Sequence, residues 1–280
     1  MGKGGAVLAG RVAVITGSSR GLGFAMADLL GRHGAAVVLA SRSDADVAAA
    51  VERLRARGIE ASGRRCDVAD FTDVELLREE ALAHGTLDIW VNNAGAPGVY
   101  GPTASTPVDD FARVVHTNIL GTFHGARVAL PVFLGQGHGD LVNMYGAGDR
   151  GPVALQNAYA SSKRWVRQFT ETLRAETRGT GVRVHGMNPG LVTTDLLGSV
   201  TSQQGYERRL SGLQVVVGLW GQTPDVAAQP LLLLVTSDAA EFRDLTRTTL
   251  VVRGIRSLLT GRLRRRNRMP MDVTVLDAHP

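Results

Sequence analysis

The chain of 280 residues is 44% hydrophobic and 20% charged, which excludes disordered, collagen-like and coiled-coil proteins. Its formal net charge is +5, and residues 255–280 contribute six arginines against two acidic residues, so the remainder is nearly neutral and a nucleic-acid-binding surface is not indicated. The sequence shows no membrane-spanning apolar stretch, secretory signal pattern or metal-ligand spacing of its histidines. We expect a cytoplasmic protein without nucleic-acid, membrane or metal partners.

Short apolar runs alternate with amphipathic segments along the chain. The runs Arg11–Thr16 and Ala36–Ala40 are separated by a helical stretch over Gly21–His33, which predicts a βαβ unit. Further apolar runs occur at Leu87–Val91, Leu141–Met144, Val182–Met187 and Thr249–Val252. Apolar strands that alternate with helices predict one doubly wound α/β domain over residues 1–254. Its parallel sheet should have about seven strands, with helices on both faces.

Two segments fall outside this alternation. Residues 196–221 are rich in Gly, Ser and Gln and include the apolar run Val215–Val217. Loops at the carboxyl ends of parallel strands line the ligand crevice, so we interpret this segment as a candidate lid over a hydrophobic substrate. Residues 255–280 form a basic C-terminal tail, which we interpret as a solvated segment, with binding to an acidic partner as the alternative.

A glycine-rich turn follows the first strand and opens the first helix. Glycines at such a turn let the backbone approach a pyrophosphate, and the helix N-terminal N–H groups bind its charge. The predicted Rossmann-like dinucleotide site includes six residues of this turn: Gly17, Ser19, Arg20, Gly21, Leu22 and Gly23. After the second strand, where an NAD-type site carries an acidic residue, the chain has Arg42. Arg42 and Arg20 can bind a 2′-phosphate, which favours NADP(H) over NAD(H).

Tyr159 and Lys163 lie four residues apart in a helical stretch predicted over Asn157–Arg178, which places the phenol and the ammonium on one helical face. A free phenol has a pKa of about 10, and a nearby cation favours the phenolate. We therefore expect Lys163 to lower the pKa of Tyr159, and the pair to donate or accept a proton. Lys163 is one of only two lysines among 31 basic residues, which indicates that this position needs a compact ammonium.

Together these motifs resemble the short-chain dehydrogenase/reductase family over about Gly10–Gly254. The resemblance implies that Tyr159 is the general acid for carbonyl reduction and the base for alcohol oxidation. It implies that Lys163 also holds the nicotinamide ribose, and that Asn118 supports a proton relay through water to the lysine. It further implies cofactor contacts after the third, fourth and sixth strands, from Asp67, Val68, Asn93, Ala94, Gly95, Pro189, Val192 and Thr194.

The resemblance also implies an oligomer. Family members are usually tetramers or dimers assembled through the helix that carries the tyrosine and the helix before it. In this chain Trp165, Val166 and Phe169 follow Tyr159 on that helix and are candidates to face a subunit partner. We therefore expect a homotetramer or a homodimer.

One position departs from the family pattern. The family's catalytic serine stands thirteen residues before the tyrosine, and that position is Gly146. Losing one such donor typically costs about 2.7–4 kcal/mol unless another group replaces it. Three replacements are open: the hydroxyl of Tyr145, the side chain of Gln156, and the backbone N–H of Gly146 itself. A glycine also leaves room for a bulkier substrate, or for an imine or activated alkene that needs no hydroxyl donor.

The sequence therefore predicts an NADP(H)-dependent oxidoreductase. It would transfer hydride between nicotinamide and a carbonyl, alcohol or imine carbon of a small, hydrophobic substrate. Two alternatives stay open: an NADP(H)-binding protein with non-redox chemistry such as cyclisation or isomerisation, motivated by Gly146, and a non-catalytic binding protein that uses its basic tail. The identity of the substrate and the direction of the reaction are not predicted.

Overall fold

Seven parallel strands form the main sheet of the computed structural model, which describes residues 6–194, 198–244 and 272–276. The described strands are β1 (Val12–Thr16), β2 (Ala36–Ser41), β3 (Ala61–Arg65), β4 (Leu87–Asn92), β5 (Gly139–Met144), β6 (Val182–Asn188), β7 (Ser199–Gln203), β8 (Glu241–Arg243) and β9 (Asp272–Leu276). The main sheet has the order β3-β2-β1-β4-β5-β6-β8. Strand order reverses between β1 and β4, and this reversal opens a crevice at the carboxyl ends of those strands.

Helices cover both faces of the sheet. They are α1 (Gly21–Arg32), α2 (Asp44–Arg55), α3 (Phe71–Leu82), α4 (Val108–Val115), α5 (Gly121–Gln136), α6 (Asn157–Glu176), α7 (Ser211–Trp220) and α8 (Pro224–Thr236). Side chains of α1, α2 and α8 fill the core on one face, and those of α3, α5 and α6 fill the core on the other. The predicted doubly wound Rossmann-like fold is confirmed. Within the described ranges, no helix combines the length and apolarity required to cross a membrane.

Burial on both faces explains why the central strands are apolar throughout. Ala13 and Ile15 of β1 pack in one core, whereas Val12 and Val14 pack in the other. A strand with one face in water would instead alternate between polar and apolar residues. The two edges of the sheet lack this signal. β3 has the sequence Ala-Ser-Gly-Arg-Arg, and β8 has only three residues, so neither forms an apolar run. The sequence analysis had therefore indicated no bounds for either strand.

The segment predicted as a lid has regular structure. Within residues 198–221, β7 leads through a short 3-10 turn to α7. β7 pairs with β9 in a second sheet of two parallel strands. Asp272–Leu276, within the tail interpreted as solvated, is therefore ordered by backbone hydrogen bonding to β7, and three of its five residues are exposed. Other predictions lie outside the described residues: the strand at Thr249–Val252, the arginine run at 262–268, and lid positions 196–197.

Candidate active site and cofactor cleft

The glycine turn leaves the N-terminus of α1 open to an anion. No side chain caps this helix at Arg20, and its first turn carries no acidic residue. Gly17 and Gly21 have φ values of +63° and +57°, a region that favours glycine. A Cβ at Gly23 would collide with the carbonyl oxygen of Gly17 and lie 2.6 Å from Nδ2 of Asn93. The turn therefore has the close backbone packing and the available N–H groups that fit a pyrophosphate.

Residues after β4 hold this turn from behind. The Thr16 hydroxyl oxygen accepts hydrogen bonds from the backbone N–H groups of Asn93 and Ala94, each at 3.0 Å. The side-chain amide of Asn93 donates to the carbonyl oxygens of Thr16 at 2.9 Å and Gly17 at 3.0 Å. Asn93 and Ala94 therefore support the turn, and Thr16 is a supporting residue that the sequence reasoning missed. The hydroxyl-bearing residue at the end of β1 could have indicated this supporting role.

The expected adenosine side of the cleft lies at the ends of β2 and β3. Arg42 is exposed directly after β2 and makes no ion pair within the described part of the chain, so its guanidinium is available to a phosphate. Asp67 is half-buried and its Oδ1 accepts from the backbone N–H of Ala69 at 3.0 Å. Val68 is buried beside the backbone of Gly121. An exposed arginine at this position can form charge-assisted hydrogen bonds to a phosphate.

The structure places Tyr159 and Lys163 on consecutive turns of α6, facing the end of β5. Lys163 is 6% exposed, and its Nζ donates to the carbonyl oxygen of Met144 at 3.0 Å and lies 5.6 Å from the centroid of the Tyr159 ring. Burial lowers the pKa of Lys163 to about 8. Burial, reinforced by the carboxylate of Asp149, raises the pKa of Tyr159 to about 12.

These values correct one expectation from the sequence. The pKa of Tyr159 is shifted upwards and not downwards in this arrangement, because burial, and then the Asp149 carboxylate, disfavour the phenolate. Tyr159 is accordingly protonated at neutral pH. Its hydroxyl makes no hydrogen bond to the described residues and is therefore available as a proton donor.

Gly146 lies directly against the hydroxyl of Tyr159. A Cβ at this position would lie 2.5 Å from Oη of Tyr159 and 3.3 Å from Cγ of Lys163. The tyrosine hydroxyl thus occupies the space that the first side-chain carbon of a serine needs. The Gly146 carbonyl oxygen accepts from the backbone N–H of Asp149 at 3.2 Å, whereas the Gly146 N–H has no partner among the described residues.

Two other residues were candidates to replace the missing serine hydroxyl. The ring of Tyr145 packs on the backbone of Gly186 and lies 5.4 Å from the guanidinium carbon of Arg167, beyond the part of α6 that carries the Tyr-Lys pair. The structure therefore does not bring Tyr145 towards Tyr159. Gln156 immediately precedes α6, is half-buried, and its side-chain amide has no hydrogen-bond partner in the described ranges.

Asn118 lies in a π-helical turn, His116–Leu120, between α4 and α5. Its buried side chain accepts from the backbone N–H of Ala96 at 2.8 Å and donates to the carbonyl oxygen of Ala96 and the hydroxyl of Ser162, each at 3.0 Å. A Cβ at Gly95 would lie 3.5 Å from Oδ1 of Asn118 and 3.9 Å from Nζ of Lys163. Asn118 therefore fixes the loop after β4 against α6, beside the lysine.

Asp149 is a buried acid near the Tyr-Lys pair that the sequence reasoning missed. It is 3% exposed, forms an ion pair with Arg243 of β8, and lies 3.5 Å from the side-chain amide of Asn188. Asn188 also donates to the carbonyl oxygen of Gly146 at 3.4 Å. Asp149 thus ties the loop that carries Gly146 to β6 and β8. Asp149 lies in a Gly-rich loop, where no hydrophobic periodicity indicates which residues are buried.

The turn after β6 closes the cleft on the side opposite to Asn93. Gln222 holds this turn in place through two hydrogen bonds. Its side-chain amide donates to the carbonyl oxygen of Pro189 at 2.7 Å, and its backbone N–H donates to the carbonyl oxygen of Leu191 at 2.9 Å. The Cγ2 atom of Thr194 lies 3.3 Å from the place of a Cβ at Gly21. Pro189 and Val192 are buried, so this turn forms a fixed wall beside the glycine turn.

Comparison with known proteins identifies the family. The sequence profile of the short chain dehydrogenases matches residues 11–205. The 3beta-hydroxysteroid dehydrogenase 1 of Eggerthella lenta is 34% identical over 257 residues, which cover 91% of this chain and 96% of that protein. A solved actinorhodin polyketide ketoreductase variant with NADPH has a TM-score of 0.73 at 25% identity, covering 96% of both chains.

A second solved structure shows that the cofactor varies among the relatives. The 3-oxoacyl-(acyl-carrier protein) reductase from Brucella melitensis, with bound NAD, has a TM-score of 0.73 at 26% identity and covers 85% of this chain and 89% of that one. The family profile spans the glycine turn, the segment after β4 and the Tyr-Lys pair of α6. This chain therefore belongs to the short-chain dehydrogenase family of nicotinamide-dependent oxidoreductases.

Proposed function

We propose that this protein is an NADP(H)-dependent reductase or dehydrogenase of a small, hydrophobic carbonyl, alcohol or imine substrate. The observation that carries the proposal is the meeting of a protonated Tyr159 hydroxyl and a buried Lys163 at the crevice, next to Gly95 and across from the glycine turn. This arrangement supports a proton donor beside the expected position of the nicotinamide.

The residues of the cleft divide between the two ends of the cofactor. The helix N-terminus at Gly21–Gly23 binds the pyrophosphate, and Asp67 and Val68 contact the adenine. Arg42 and Arg20 bind the 2′-phosphate, and this pair is our reason to favour NADP(H), because the solved relatives include both NADPH and NAD complexes. Pro189, Val192 and Thr194 would hold the nicotinamide on the side of the cleft formed by the turn after β6.

When bound, the cofactor supplies or accepts the hydride. Tyr159 donates its phenolic proton to the substrate heteroatom during reduction and accepts it during oxidation. Lys163 holds the ribose near the nicotinamide and stabilises the phenolate that forms when Tyr159 gives up its proton. Asn118 supports proton return to Lys163 by fixing the Ala96 loop and α6 around the lysine.

The substrate oxygen needs a second hydrogen-bond donor. We assign this role to the backbone N–H of Gly146, with the amide of Gln156 as the other available group. Tyr145 is not part of the proposal, because its ring lies against Gly186 and Arg167. With no side chain at Gly146, the Tyr159 hydroxyl lies directly against that backbone, so one substrate oxygen would reach both donors.

A fluorescence titration with NADPH and NADH tests the cofactor assignment. We expect NADPH to bind at least tenfold more tightly than NADH, since charge-assisted hydrogen bonds contribute about 1.5–3 kcal/mol. The Arg42→Ala variant should lose most of this preference and leave NADH affinity unchanged. Arg113→Ala, on α4, is the control. Equal affinity for both nucleotides in the unmodified protein would contradict the assignment.

NADPH consumption with a panel of ketones, imines and enones tests the reaction. Turnover of at least one class, abolished in Tyr159→Phe, is the expected result. NADPH binding without any turnover across the panel would instead favour the non-redox alternative, for which the absent serine hydroxyl at Gly146 is the specific observation. The cytoplasmic location and the lid over residues 196–221 stay predictions.

We further propose that the protein is a homodimer or homotetramer assembled through α4, α5 and α6. Phe123 is 42% exposed and lies 6.3 Å from Phe169, which stacks on Trp165 at 4.7 Å between ring centroids. Phe169 and Trp165 are half-buried, and a partly exposed aromatic patch of this kind is typical of an interface. Val166 is buried within the subunit and is therefore not part of this patch. Light scattering should give a multiple of the subunit mass, and a reduced multiple for Phe123→Glu.

A further inference from the structure

The segment Asp272–Leu276 is built into the layer beside the substrate side of the cleft. It forms β9, which pairs in parallel register with β7 from Ser199 opposite Asp272 to Gln203 opposite Leu276. The backbone N–H of Gln204 extends this pairing by donating to the carbonyl oxygen of Leu276 at 3.0 Å. β9 therefore covers one edge of β7 along its whole length.

The other edge of β7 binds the loop that leaves the cofactor cleft after β4. The backbone N–H of Tyr100 donates to the carbonyl oxygen of Thr201 at 2.8 Å, and the N–H of Gln203 donates to the carbonyl oxygen of Tyr100 at 2.9 Å. Backbone groups of successive residues in a strand point to opposite edges, so β7 bonds to β9 on one side and to Tyr100 on the other. β7 is thus the middle strand of a small layer.

The side chain of Gln203 fastens this layer to the same loop. Gln203 is 6% exposed; its Oε1 accepts from the Ser105 hydroxyl at 2.5 Å and its Nε2 donates to the carbonyl oxygen of Pro102 at 3.3 Å. Gly101 has no side chain, and the Gln203 side chain fills the space that a Cβ there would take. A displacement of β7 therefore also displaces the loop around Gly101.

The same loop touches the start of α6. Gly101 pairs with Gln156, and its N–H donates at 2.9 Å to the carbonyl oxygen of Leu155, which has a positive φ of 67°. Gln156 stands three residues before Tyr159 and carries the free amide described above. Backbone contacts thus run without a break from β9 through β7 and Gly101 to the N-terminus of the helix that bears Tyr159.

We infer that β9 is a specificity-determining element of the substrate site, which fixes the outer wall formed by β7 and Tyr100–Gly101 and so limits the size of substrate that reaches Tyr159. Only the predicted effect on substrate kinetics rests on the proposed function of Tyr159. Parallel pairing of an isolated pair of strands is weak by itself, so the wall depends on both of its edges being covered.

Two shortened forms of the full chain test the inference. One ends at Met271 and lacks β9; its matched control ends at Leu276 and keeps β9. Hydrogen exchange of the amides in residues 199–203 and 100–101 is measured first, because it requires no substrate. We expect at least tenfold faster exchange in the form that ends at Met271 and unchanged exchange in the control, with NADPH affinity within about twofold in both.

Kinetics with the carbonyl panel then tests the role in specificity. The form that ends at Met271 should show a KM raised at least tenfold for the best small substrate, with kcat changed less, and a relative gain for bulkier substrates. Unchanged exchange would overturn the inference, and so would faster exchange with unchanged KM and selectivity. If no substrate is turned over by the unmodified protein, the proposed function fails and the exchange result still decides whether β9 holds the wall.

A pair of point substitutions serves if the shortened chain does not fold. Val273 is half-buried in β9, whereas its neighbour Thr274 is exposed. Val273→Asp should loosen the docking of β9 and reproduce the faster exchange of residues 199–203 and the raised KM. Thr274→Asp carries the same charge on the exposed face and should leave both unchanged. Equal behaviour of the two variants would overturn the inference.

Discussion

The cofactor side and the substrate side of the cleft are held together by different kinds of contact. On the cofactor side, the glycine turn is fixed by neighbouring strands of the main sheet, through Thr16, Asn93 and Ala94. On the substrate side, the walls come from loops and from strands outside that sheet: Gly146, Gln156, β7 and β9. A rigid scaffold thus carries the part that binds a common cofactor, and connecting segments carry the part that sets the substrate.

This comparison teaches where change is tolerated. A side chain added on the cofactor side meets backbone atoms, since a Cβ at Gly23 collides with the carbonyl oxygen of Gly17. A side chain added at Gly146 meets the end of another side chain, the hydroxyl of Tyr159. We therefore expect substitutions on the first side to weaken cofactor binding strongly, and those on the second to alter rate and selectivity.

The largest expected effect is on turnover, in Tyr159→Phe. Removal of the hydroxyl removes the proton donor, and general acid-base catalysis typically contributes about 10²–10⁴-fold to the rate. We expect kcat to fall by roughly 10³-fold while NADPH affinity stays within a few-fold, measured by stopped-flow NADPH oxidation and fluorescence titration. Wild-type activity in this variant would remove Tyr159 from the chemistry and break the division between the two sides.

The second prediction concerns the cofactor side. Gly23→Ala places a methyl group against the carbonyl oxygen of Gly17 and near Nδ2 of Asn93, which displaces the turn from the helix N-terminus. Loss of one or two charge-assisted hydrogen bonds corresponds to roughly 100-fold weaker NADPH binding. Gly135→Ala, in α5, adds the same methyl group where no atom lies within 4 Å and should leave binding unchanged. Equal NADPH affinity in the two variants would contradict the assigned packing.

The third prediction places a serine at Gly146. Its Cβ requires the Tyr159 hydroxyl to move, and small displacements of a reacting group can cost up to about 100-fold in rate. We therefore expect Gly146→Ser to lower kcat roughly tenfold without changing NADPH affinity. Gly146→Ala, with the same Cβ and no hydroxyl, separates the steric effect from the added donor.

The opposite result has a clear meaning. If Gly146→Ser raises ketone reduction while Gly146→Ala lowers it, the site lacks one donor that a serine can supply. Tyr159 must then adjust to the new side chain, and the backbone N–H of Gly146 is not the donor for the substrate oxygen.

Sequence reasoning predicted the cofactor side well for a physical reason. A strand, a glycine turn and a helix are adjacent in the chain, so local composition specifies Gly17–Gly23 and the sheet order places Asn93–Gly95 beside them. The four-residue spacing of Tyr159 and Lys163 is likewise local. Their shared helical face was therefore predictable, although the direction of the pKa shift at Tyr159 was not, because it depends on burial.

The substrate side depends on contacts between distant segments. Asp149 bonds to β8, and β9 pairs with β7 some 70 positions earlier, between residues whose local sequence shows no sign of the partner. Tyr145 seemed a plausible donor because it is adjacent to Gly146 in sequence. Its ring points towards Gly186 of the neighbouring strand, and only the fold shows this.

The smallest expected effect is a shift in pH dependence, in Asp149→Asn. The Asp149 carboxylate raises the pKa of Lys163 against the stronger effect of burial, which lowers it to about 8. The ammonium is therefore lost as the pH rises through about 8. Without the carboxylate this loss begins at lower pH, so the alkaline limb of kcat/KM should shift to lower pH. The pKa of Tyr159 also falls from about 12, yet the phenol stays protonated over the same range.

The control for this shift is Asp109→Asn, which removes an exposed acid in the first turn of α4. Asp149 also pairs with Arg243, so its variant should lose about 1–3 kcal/mol of stability, measured by urea unfolding at pH 7. An unchanged alkaline limb in a folded Asp149→Asn protein would mean that Lys163 does not set it. A shift in Asp149→Asn that is absent in Asp109→Asn would show that the buried carboxylate of the Gly146 loop helps to hold the charge on which the Tyr-Lys pair depends.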